Sequence, residues 1–311
     1  MTSTAYLLIS HGSRDPRHQI AMNRLAQLLR ERLNPALVSP WSSQSFESIG
    51  ESHGSAMAVV GLQDTPGKEQ GVGSVVTTIP RAKSVATPAR SPRERLMVGT
   101  SVLDFGLLPL HKQICEFGRR LSSAGIERLQ LVPLFLLSGK HVMEDIPNEV
   151  EQARNELGGM IDVELGPHIG GAQGMLQMCE NRFLHSPKAG RLIVAHGSRR
   201  AKGNRTVDRL AKSLGTAVAY WTIESDIENQ TIHLMQQGCS TLTIFPYFLF
   251  AGGITDAVAH LTEELAERFP RTNFRLLPPL GATVDLVNLI VETLGHSSES
   301  DQVSRLKGYV S

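Results

Sequence analysis

The sequence predicts an α/β fold in which one unit, a parallel sheet flanked by helices, occurs twice. An apolar run over residues 5–10 ends in His11-Gly12-Ser13-Arg14 and precedes a helical pattern, as expected where a buried parallel strand leads into a helix. The pattern returns at residues 191–199, which end in His196-Gly197-Ser198-Arg199. A second apolar run, residues 131–139, returns at residues 244–252. We therefore interpret the chain as a duplication.

The individual elements follow from the spacing of apolar residues. Short apolar runs closed by turn residues predict strands, and apolar residues three and four apart predict helices. The first copy is predicted to contain strands at residues 5–10, 97–103, 128–137 and 161–165, and helices at 16–33, 111–123, 148–157 and 173–183. The second copy is predicted to contain strands at residues 192–195, 217–221, 241–250 and 274–277, and helices at 205–214, 227–237, 256–269 and 284–294. We place the two domains at residues 1–165 and 190–295.

Residues 39–95 interrupt the first copy. This segment is rich in Ser, Gly and Pro and has neither helical nor strand periodicity. The span from His11 to His141 is also much longer than the matching span from His196 to Ile254. We therefore predict a mostly disordered insertion that leaves the surface of the first domain as a loop.

Length and composition are those of a globular protein with two full cores: 311 residues, of which 41% are hydrophobic and 20% charged. The formal net charge of +1 gives no reason to expect nucleic acid or a membrane surface as a partner. Three scattered cysteines indicate neither a disulfide framework nor a Cys-x-x-Cys metal site. No basic region precedes the first apolar run, and no segment approaches the length of a transmembrane helix, so we expect a cytoplasmic protein.

Polar residues with ligand chemistry follow three strands of the first copy. His11, Asp104 and His141 each come just after a predicted parallel strand, and the carboxyl ends of such strands meet at one edge of a sheet. Two imidazoles and a carboxylate suit Fe²⁺, Co²⁺, Ni²⁺ or Zn²⁺, and they also suit proton transfer near neutral pH. The alternative is a pair of hydrogen-bonded structural histidines. A hydrolase that uses Ser13 is disfavoured, because His-Gly-Ser-Arg lacks the Gly-x-Ser-x-Gly pattern.

Cationic side chains cluster beside the same strand ends. They are Arg14, Arg17, Lys140, Arg199, Arg200 and Lys202. Each one taken alone could equally be a solvated surface charge. Their clustering beside both His-Gly-Ser turns favours a cleft of positive potential, which would attract an anionic substrate.

Three motifs carry a resemblance to a known family. They are Ile9-Ser-His11-Gly-Ser-Arg14, Val102-Leu-Asp104-Phe105, and Pro133-Leu-Phe-Leu-Leu-Ser-Gly-Lys-His141 followed by Asp145-Ile-Pro147. At these residues the chain resembles the sirohydrochlorin chelatases, the class II chelatases of the siroheme and cobalamin pathways, in their long, two-domain form. The resemblance covers nearly the whole chain outside residues 39–95.

The resemblance implies two duplicated flavodoxin-like domains with a cleft between them, the chelatase fold. It also implies a lyase that inserts Fe²⁺ or Co²⁺ into sirohydrochlorin without ATP and without a permanently bound cofactor. His11 would be the proton acceptor and a metal ligand, and His141 the second metal ligand, with Asp104 as a further catalytic residue. The residues expected to bind the macrocycle are Arg14, Leu136, Leu137, Ser138, Gly139 and Lys140. The expected partners are this substrate and the metal alone, with the chain acting as a monomer.

The chain departs from the family pattern at two places. Asp104 stands where the family usually has a glutamate, and in the second copy Ile254 stands at the position of His141. Residues near Tyr220 and Trp221 supply no carboxylate, so we expect the site of the second copy to be degenerate although His196 is present. The alternative function is a non-catalytic carrier of the tetrapyrrole or the metal with the same fold.

Overall fold

Two four-stranded parallel sheets, one in each half of the chain, form the framework of the fold. The computed structural model describes residues 4–33, 98–187, 190–198, 200 and 202–294. The insertion predicted over residues 39–95 lies outside these ranges. The predicted fold class, α/β with duplicated parallel sheets flanked by helices, is confirmed.

Within the described part of the first half, four strands and four α-helices lie close to the predicted positions. In chain order they are β1 (Thr4–Ser10), α1 (Pro16–Leu33), β2 (Val98–Val102), α2 (Leu110–Ser123), β3 (Arg128–Pro133), α3 (Ile146–Leu157), β4 (Asp162–Leu165) and α4 (Met175–Arg182). A π-helical turn, His141–Asp145, leads directly into α3.

The second half repeats this alternation. Its elements are β5 (Arg191–Ala195), α5 (Arg205–Leu214), β6 (Ala217–Tyr220), α6 (Asp226–Gln236), β7 (Thr241–Pro246), α7 (Gly253–Arg268), β8 (Asn273–Leu276) and α8 (residues 284–294). Within the described ranges, every helix is too short or too polar to cross a bilayer.

Both sheets have the same strand order, which places the first strand of each half beside the third. The orders are β2-β1-β3-β4 and β6-β5-β7-β8, and all pairs are parallel. Central strands of such sheets are buried on both faces, which explains the continuous apolar runs in β1, β3, β5 and β7. The residues that follow β1, β2 and β3 therefore emerge at one edge.

The cores of the two halves are not separate. One hydrophobic cluster contains Leu8 and Val132 from the first sheet together with Ile193 and Phe245 from the second. Buried residues of α1, α4, α5 and α8 belong to the same cluster. The opposite face of the first sheet packs on α2 and α3, and that of the second sheet packs on α6 and α7.

The third strand of each half is shorter than predicted. The predicted strands ran over residues 128–137 and 241–250, but the sheet pairing ends at Pro133 and Pro246. Leu134 N–H still donates to the Ile9 carbonyl at 2.7 Å, and then the chain turns away from the sheet. The apolar run continues past the proline because residues 134–137 and 247–249 line a cavity. Periodicity alone cannot distinguish such a segment from a strand.

Candidate functional site

Backbone contacts bring the loop after β1 against the loop after β2. The His11 carbonyl accepts a hydrogen bond from Asp104 N–H at 2.8 Å. Gly12, between the histidine and the serine of the motif, has φ +93°, and a Cβ at this position would lie 2.1 Å from the Asp104 carbonyl oxygen. Glycine is the residue that tolerates both this backbone conformation and this close approach. The motif therefore places His11 beside Asp104.

His141 reaches the same edge from β3. The chain crosses from Pro133 through residues 134–140 and enters the π-helical turn that His141 begins. The Nδ1 atom of His141 lies 2.8 Å from Oδ2 of Asp145, four residues later on the same turn. Such single-turn π bulges are often found at functional sites.

The three polar side chains predicted at the strand ends lie together. One ligand atom from each of His11, Asp104 and His141 lies within 4.8 Å of those of the other two. His11 Nε2 is 3.5 Å from Asp104 Oδ2, and the two imidazole centroids are 4.9 Å apart. The side chains are 40–49% exposed, so an ion can reach them from solvent. Two imidazoles and a carboxylate at this spacing can ligate a borderline divalent metal or accept protons.

A cavity of about 660 Å³ opens beside this cluster. Its lining from the first half includes His11, His141 and the apolar residues 134–137. Its lining from the second half includes His196, Ile254 and residues 247–249. A mostly apolar cavity that also contains polar and charged side chains is typical of a site for an organic ligand.

Five of the six residues expected to bind the macrocycle lie at positions 136–140, and these five divide into two groups. Leu136, Leu137 and Lys140 line the cavity. Ser138 is outside the lining. Its hydroxyl lies 3.2 Å from Nε2 of His168, and burial lowers the pKa of that histidine. Gly139 is likewise outside the lining and lies near the Ser198 side chain.

Arg14 lies at the rim of the cluster. Its guanidinium carbon is 5.3 Å from the ring centroid of Phe105, and that ring is 6.2 Å from the ring of His11. Phe105 has φ +61°, a conformation that is rare for a bulky residue and that collects at functional sites. The arrangement presents a guanidinium and an aromatic face beside the candidate metal ligands.

Most of the described cations near the cluster already have carboxylate partners. Arg17 contacts Asp15 at 2.6 Å and Asp256, on α7 of the second half, at 2.5 Å. The Arg17 guanidinium holds the pKa of both carboxyl groups below their usual values. Arg200 is ion-paired with Glu144. Arg200 also lines the cavity. Part of the positive charge of Arg17 and Arg200 is therefore balanced by neighbouring carboxylates.

Of the other predicted cations, the Lys140 ammonium lies 3.5 Å from Oδ1 of Asp145. Lys202 has φ +72° in the loop that follows β5. Arg199 is outside the described residues.

The second half has the same turn with different side chains. His196 follows β5, its carbonyl accepts from Thr222 N–H at 3.0 Å, and Gly197 has φ +87°. By this contact Thr222 occupies the place of Asp104. The repeat places Ile254 at the position of His141, and Ile254 lines the cavity. Of the polar groups in the first-half cluster, only the histidine of the turn has a counterpart here.

The sequence interpretation gave no role to two residues near the cluster. Asp145 was part of a quoted motif, and its position four residues after His141 is the signal that could have paired them, because such residues share one face of a helical turn. His18 packs against Phe250 with ring centroids 5.7 Å apart, and burial, with His11 nearby, lowers its pKa. No sequence signal connects His18 with Phe250.

Known proteins of similar sequence or structure point to one family. A chloroplastic sirohydrochlorin ferrochelatase of Arabidopsis thaliana is 27% identical over 117 residues, which cover 34% of this chain and 52% of that protein. The chain thus spans about half the length of this relative.

Two solved structures share the fold. The sirohydrochlorin chelatase SirB from Bacillus subtilis subspecies spizizenii, in complex with cobalt, matches 97% of each chain with a TM-score of 0.61 and 16% identity. SirB from Bacillus subtilis with Fe³⁺ matches 97% of this chain and 98% of that chain with a TM-score of 0.63 and 15% identity. The family model CbiX matches residues 97–186 and 190–297, more than half of the sequence, and the chain therefore belongs to the CbiX family.

Proposed function

We propose that this protein is a sirohydrochlorin chelatase, a lyase that inserts Fe²⁺ or Co²⁺ into sirohydrochlorin without ATP. The observation that carries the proposal is the cluster of His11, Asp104 and His141, whose ligand atoms lie within 4.8 Å of one another beside a cavity of about 660 Å³. The names of the relatives support it, since one is a sirohydrochlorin ferrochelatase and another is a sirohydrochlorin chelatase in complex with cobalt.

The chemistry matches these residues. Metal insertion requires removal of two pyrrole N–H protons and of water from the ion, with no covalent intermediate and no redox step. In this proposal His11 accepts the two protons one after the other and releases each to solvent, to which its side chain is 48% exposed. His11 would also be a metal ligand, and His141 the second metal ligand. Asp104, whose Oδ2 lies 3.5 Å from His11 Nε2, would add negative charge beside the ion. A neutral histidine is suited to accept a proton at physiological pH.

The macrocycle would lie in the cavity. Leu136 and Leu137 would contact its apolar face, and Lys140 and Arg14 would contact its carboxylates. Ser138 and Gly139 would act indirectly, by shaping the turn that carries Lys140 and His141. Because both halves of one chain contribute to the lining, a monomer would supply both walls of the site.

We further propose that the two domains have different roles. The first domain, residues 1–165, would carry the active site, and the second, residues 190–295, would close the cavity with a degenerate site. Thr222 and Ile254 stand where Asp104 and His141 stand in the first domain, and neither is a good ligand for these metals.

The test is the initial rate of metal insertion under anaerobic conditions, with sirohydrochlorin and each of Fe²⁺, Co²⁺ and Ni²⁺, without ATP and then with it. We expect turnover well above the uncatalysed rate with Fe²⁺ or Co²⁺ and no stimulation by ATP. Stoichiometric binding of the tetrapyrrole or the metal without rate enhancement would instead establish a carrier. A requirement for ATP would contradict the proposed mechanism.

A further inference from the structure

We propose that Asp145 is a positioning residue for the metal: it holds the His141 imidazole in the tautomer that leaves Nε2 available to bind a divalent cation. The inference deepens the proposed function and rests on it, because it specifies how the metal is held before insertion. It assigns a role to a carboxylate that is not itself a member of the ligand cluster.

The geometry fixes one nitrogen of His141. Its Nδ1 lies 2.8 Å from Asp145 Oδ2, within the range of a good hydrogen bond. The other oxygen of Asp145, Oδ1, lies 3.5 Å from the Lys140 ammonium. Since the two partners are on different oxygens, the carboxylate is anchored while it contacts the ring. The π-helical turn His141–Asp145 brings the two residues onto one face.

The tautomer follows from this contact. An ionised carboxylate only accepts hydrogen bonds, so His141 must donate through Nδ1–H. The proton on a neutral ring is then on Nδ1, and Nε2 keeps its lone pair for a cation. Carboxylates that receive the second N–H of a ligating histidine orient the ring and raise its basicity, and their loss commonly costs ten- to a hundredfold in metal affinity.

His11 is held differently. Its Nδ1 is 3.3 Å from the carbonyl of the adjacent Gly12, and no carboxylate occupies that nitrogen in the described structure. Its Nε2 is 3.5 Å from Asp104 Oδ2. The carboxylate contact at Nδ1 thus distinguishes His141 from His11 among the described residues, and the positioning role that we assign to Asp145 applies to His141.

The second half supports treating His141 and Asp145 as a unit. The repeat that aligns His141 with Ile254 aligns Asp145 with Val258, which is completely buried in the core beneath the second sheet. Both members of the pair are apolar there. By contrast His196, the counterpart of His11, keeps its contact to the following glycine carbonyl, at 3.0 Å. The second half therefore lacks both the histidine that corresponds to His141 and the carboxylate that corresponds to Asp145.

The test uses the full-length protein and Co²⁺ alone, without tetrapyrrole. Calorimetric titration gives the affinity, and the visible absorption of bound Co²⁺ reports its ligand field. We expect Asp145→Asn to weaken Co²⁺ binding by about ten- to a hundredfold, because the amide can donate to Nδ1 and favour the tautomer protonated on Nε2. Asp145→Glu, which keeps the carboxylate, should recover part of this loss.

The matched control is Glu144→Gln. Glu144 is on the same turn, and its substitution removes the same negative charge. Its ion-pair partner, however, is Arg200 and not His141. If Asp145 acts through His141, Glu144→Gln should change Co²⁺ affinity less than about twofold. If Asp145→Asn and Glu144→Gln lost Co²⁺ affinity equally, the loss would come from the removed negative charge alone, and the proposal would be overturned.

A double substitution separates positioning from a loss of folding. His141→Ala combined with Asp145→Asn should bind Co²⁺ as weakly as His141→Ala alone, because a positioning residue has no effect once its histidine is gone. Additive losses, or unchanged Co²⁺ affinity and spectrum in Asp145→Asn, would refute the role. Because no tetrapyrrole is present, this result stands apart from the insertion assay: Co²⁺ binding with these effects but no turnover would contradict only the proposed function.

Discussion

The two halves of the chain have the same strand order and the same His-Gly-Ser turn, with a glycine at φ +93° in one and +87° in the other. They differ in the side chains at three matched places: Asp104 against Thr222, His141 against Ile254, and Asp145 against Val258. The backbone that presents the first histidine is therefore retained without the groups that would make it part of a metal site. At these three positions the two halves share the backbone arrangement but differ in the chemistry of their side chains.

Residues of both halves line the cavity. The first half supplies the ligand cluster, and the second supplies an apolar surface that includes Ile254 and residues 247–249. The second half thus contributes to the shape of the cavity.

The strongest test of this asymmetry is removal of the two histidines of the first half. We expect His11→Ala and His141→Ala each to lower the rate of metal insertion by at least about a hundredfold, as for loss of a general base or a metal ligand. Ile254→Ala, in the matched position of the second half, is the control and should lower it much less. The assay must use protein shown to be folded by circular dichroism, because a buried substitution can act through stability.

Asp104 should have an intermediate effect. Asp104→Asn keeps the size of the side chain and removes the charge 3.5 Å from His11, so we expect a loss of about tenfold in kcat/KM. Thr222→Val makes a comparable change at the matched place in the second half and should leave the rate nearly unchanged. If the two variants lost activity equally, the assignment of one functional half would be wrong.

Substitution of His196 should lower the rate of metal insertion less than substitution of Asp104 or of the two histidines of the first half. It lines the cavity, but Thr222 and Ile254 provide no ligand next to it. We expect His196→Ala to reduce metal insertion by no more than about threefold, a little over half a kcal/mol in the barrier. Equal losses from His11→Ala and His196→Ala at matched stability would mean that both halves hold the metal or the substrate.

The smallest effect is expected from a substitution in the ion pair between Arg17 and Asp256, which joins the two halves, and it concerns stability. Arg17 lowers the pKa of Asp15 and Asp256 in the folded protein. Carboxylates with a lowered folded pKa stabilise the protein above their unfolded pKa of about 4, and this contribution is lost as the pH falls through the folded pKa. Arg17→Gln should thus lower the thermal unfolding midpoint slightly at pH 7.

At pH 3 the difference between Arg17→Gln and the parent protein should shrink, and added salt should reduce it at pH 7 as well. Arg17→Lys serves as the control, because it keeps the charge. A difference that is independent of both pH and salt would show that Arg17 contributes by packing and not by charge.

Much of the fold could be predicted because it depends on local patterns. The helix over Pro16–Leu33 and the strand ending at Ser10 were both evident from apolar spacing. The convergence of His11, Asp104 and His141 followed from a general rule on parallel strands, and their ligand atoms do lie within 4.8 Å of one another.

What could not be predicted depends on contacts between distant residues. Arg17 and Asp256 are 239 positions apart, and nothing in the sequence indicates that they meet. The predicted third strands are too long at their carboxyl ends. The apolar residues after Pro133 and Pro246 line the cavity and do not pair in a sheet. The positive φ of Phe105, +61°, has no sequence signature, because bulky residues rarely adopt this conformation.

The hydrophobic cluster that includes both Leu8 and Phe245 has a consequence for how the protein loses its structure. Duplicated chains whose copies pack separately can unfold one copy at a time, with a populated half-folded state. Here α1, α4, α5 and α8 contribute to a core that both sheets share, so unfolding either sheet exposes apolar surface of the other. The two copies should therefore denature as one cooperative unit, and a cavity-forming substitution at Phe245 would raise the unfolded fraction of the half that carries the ligands.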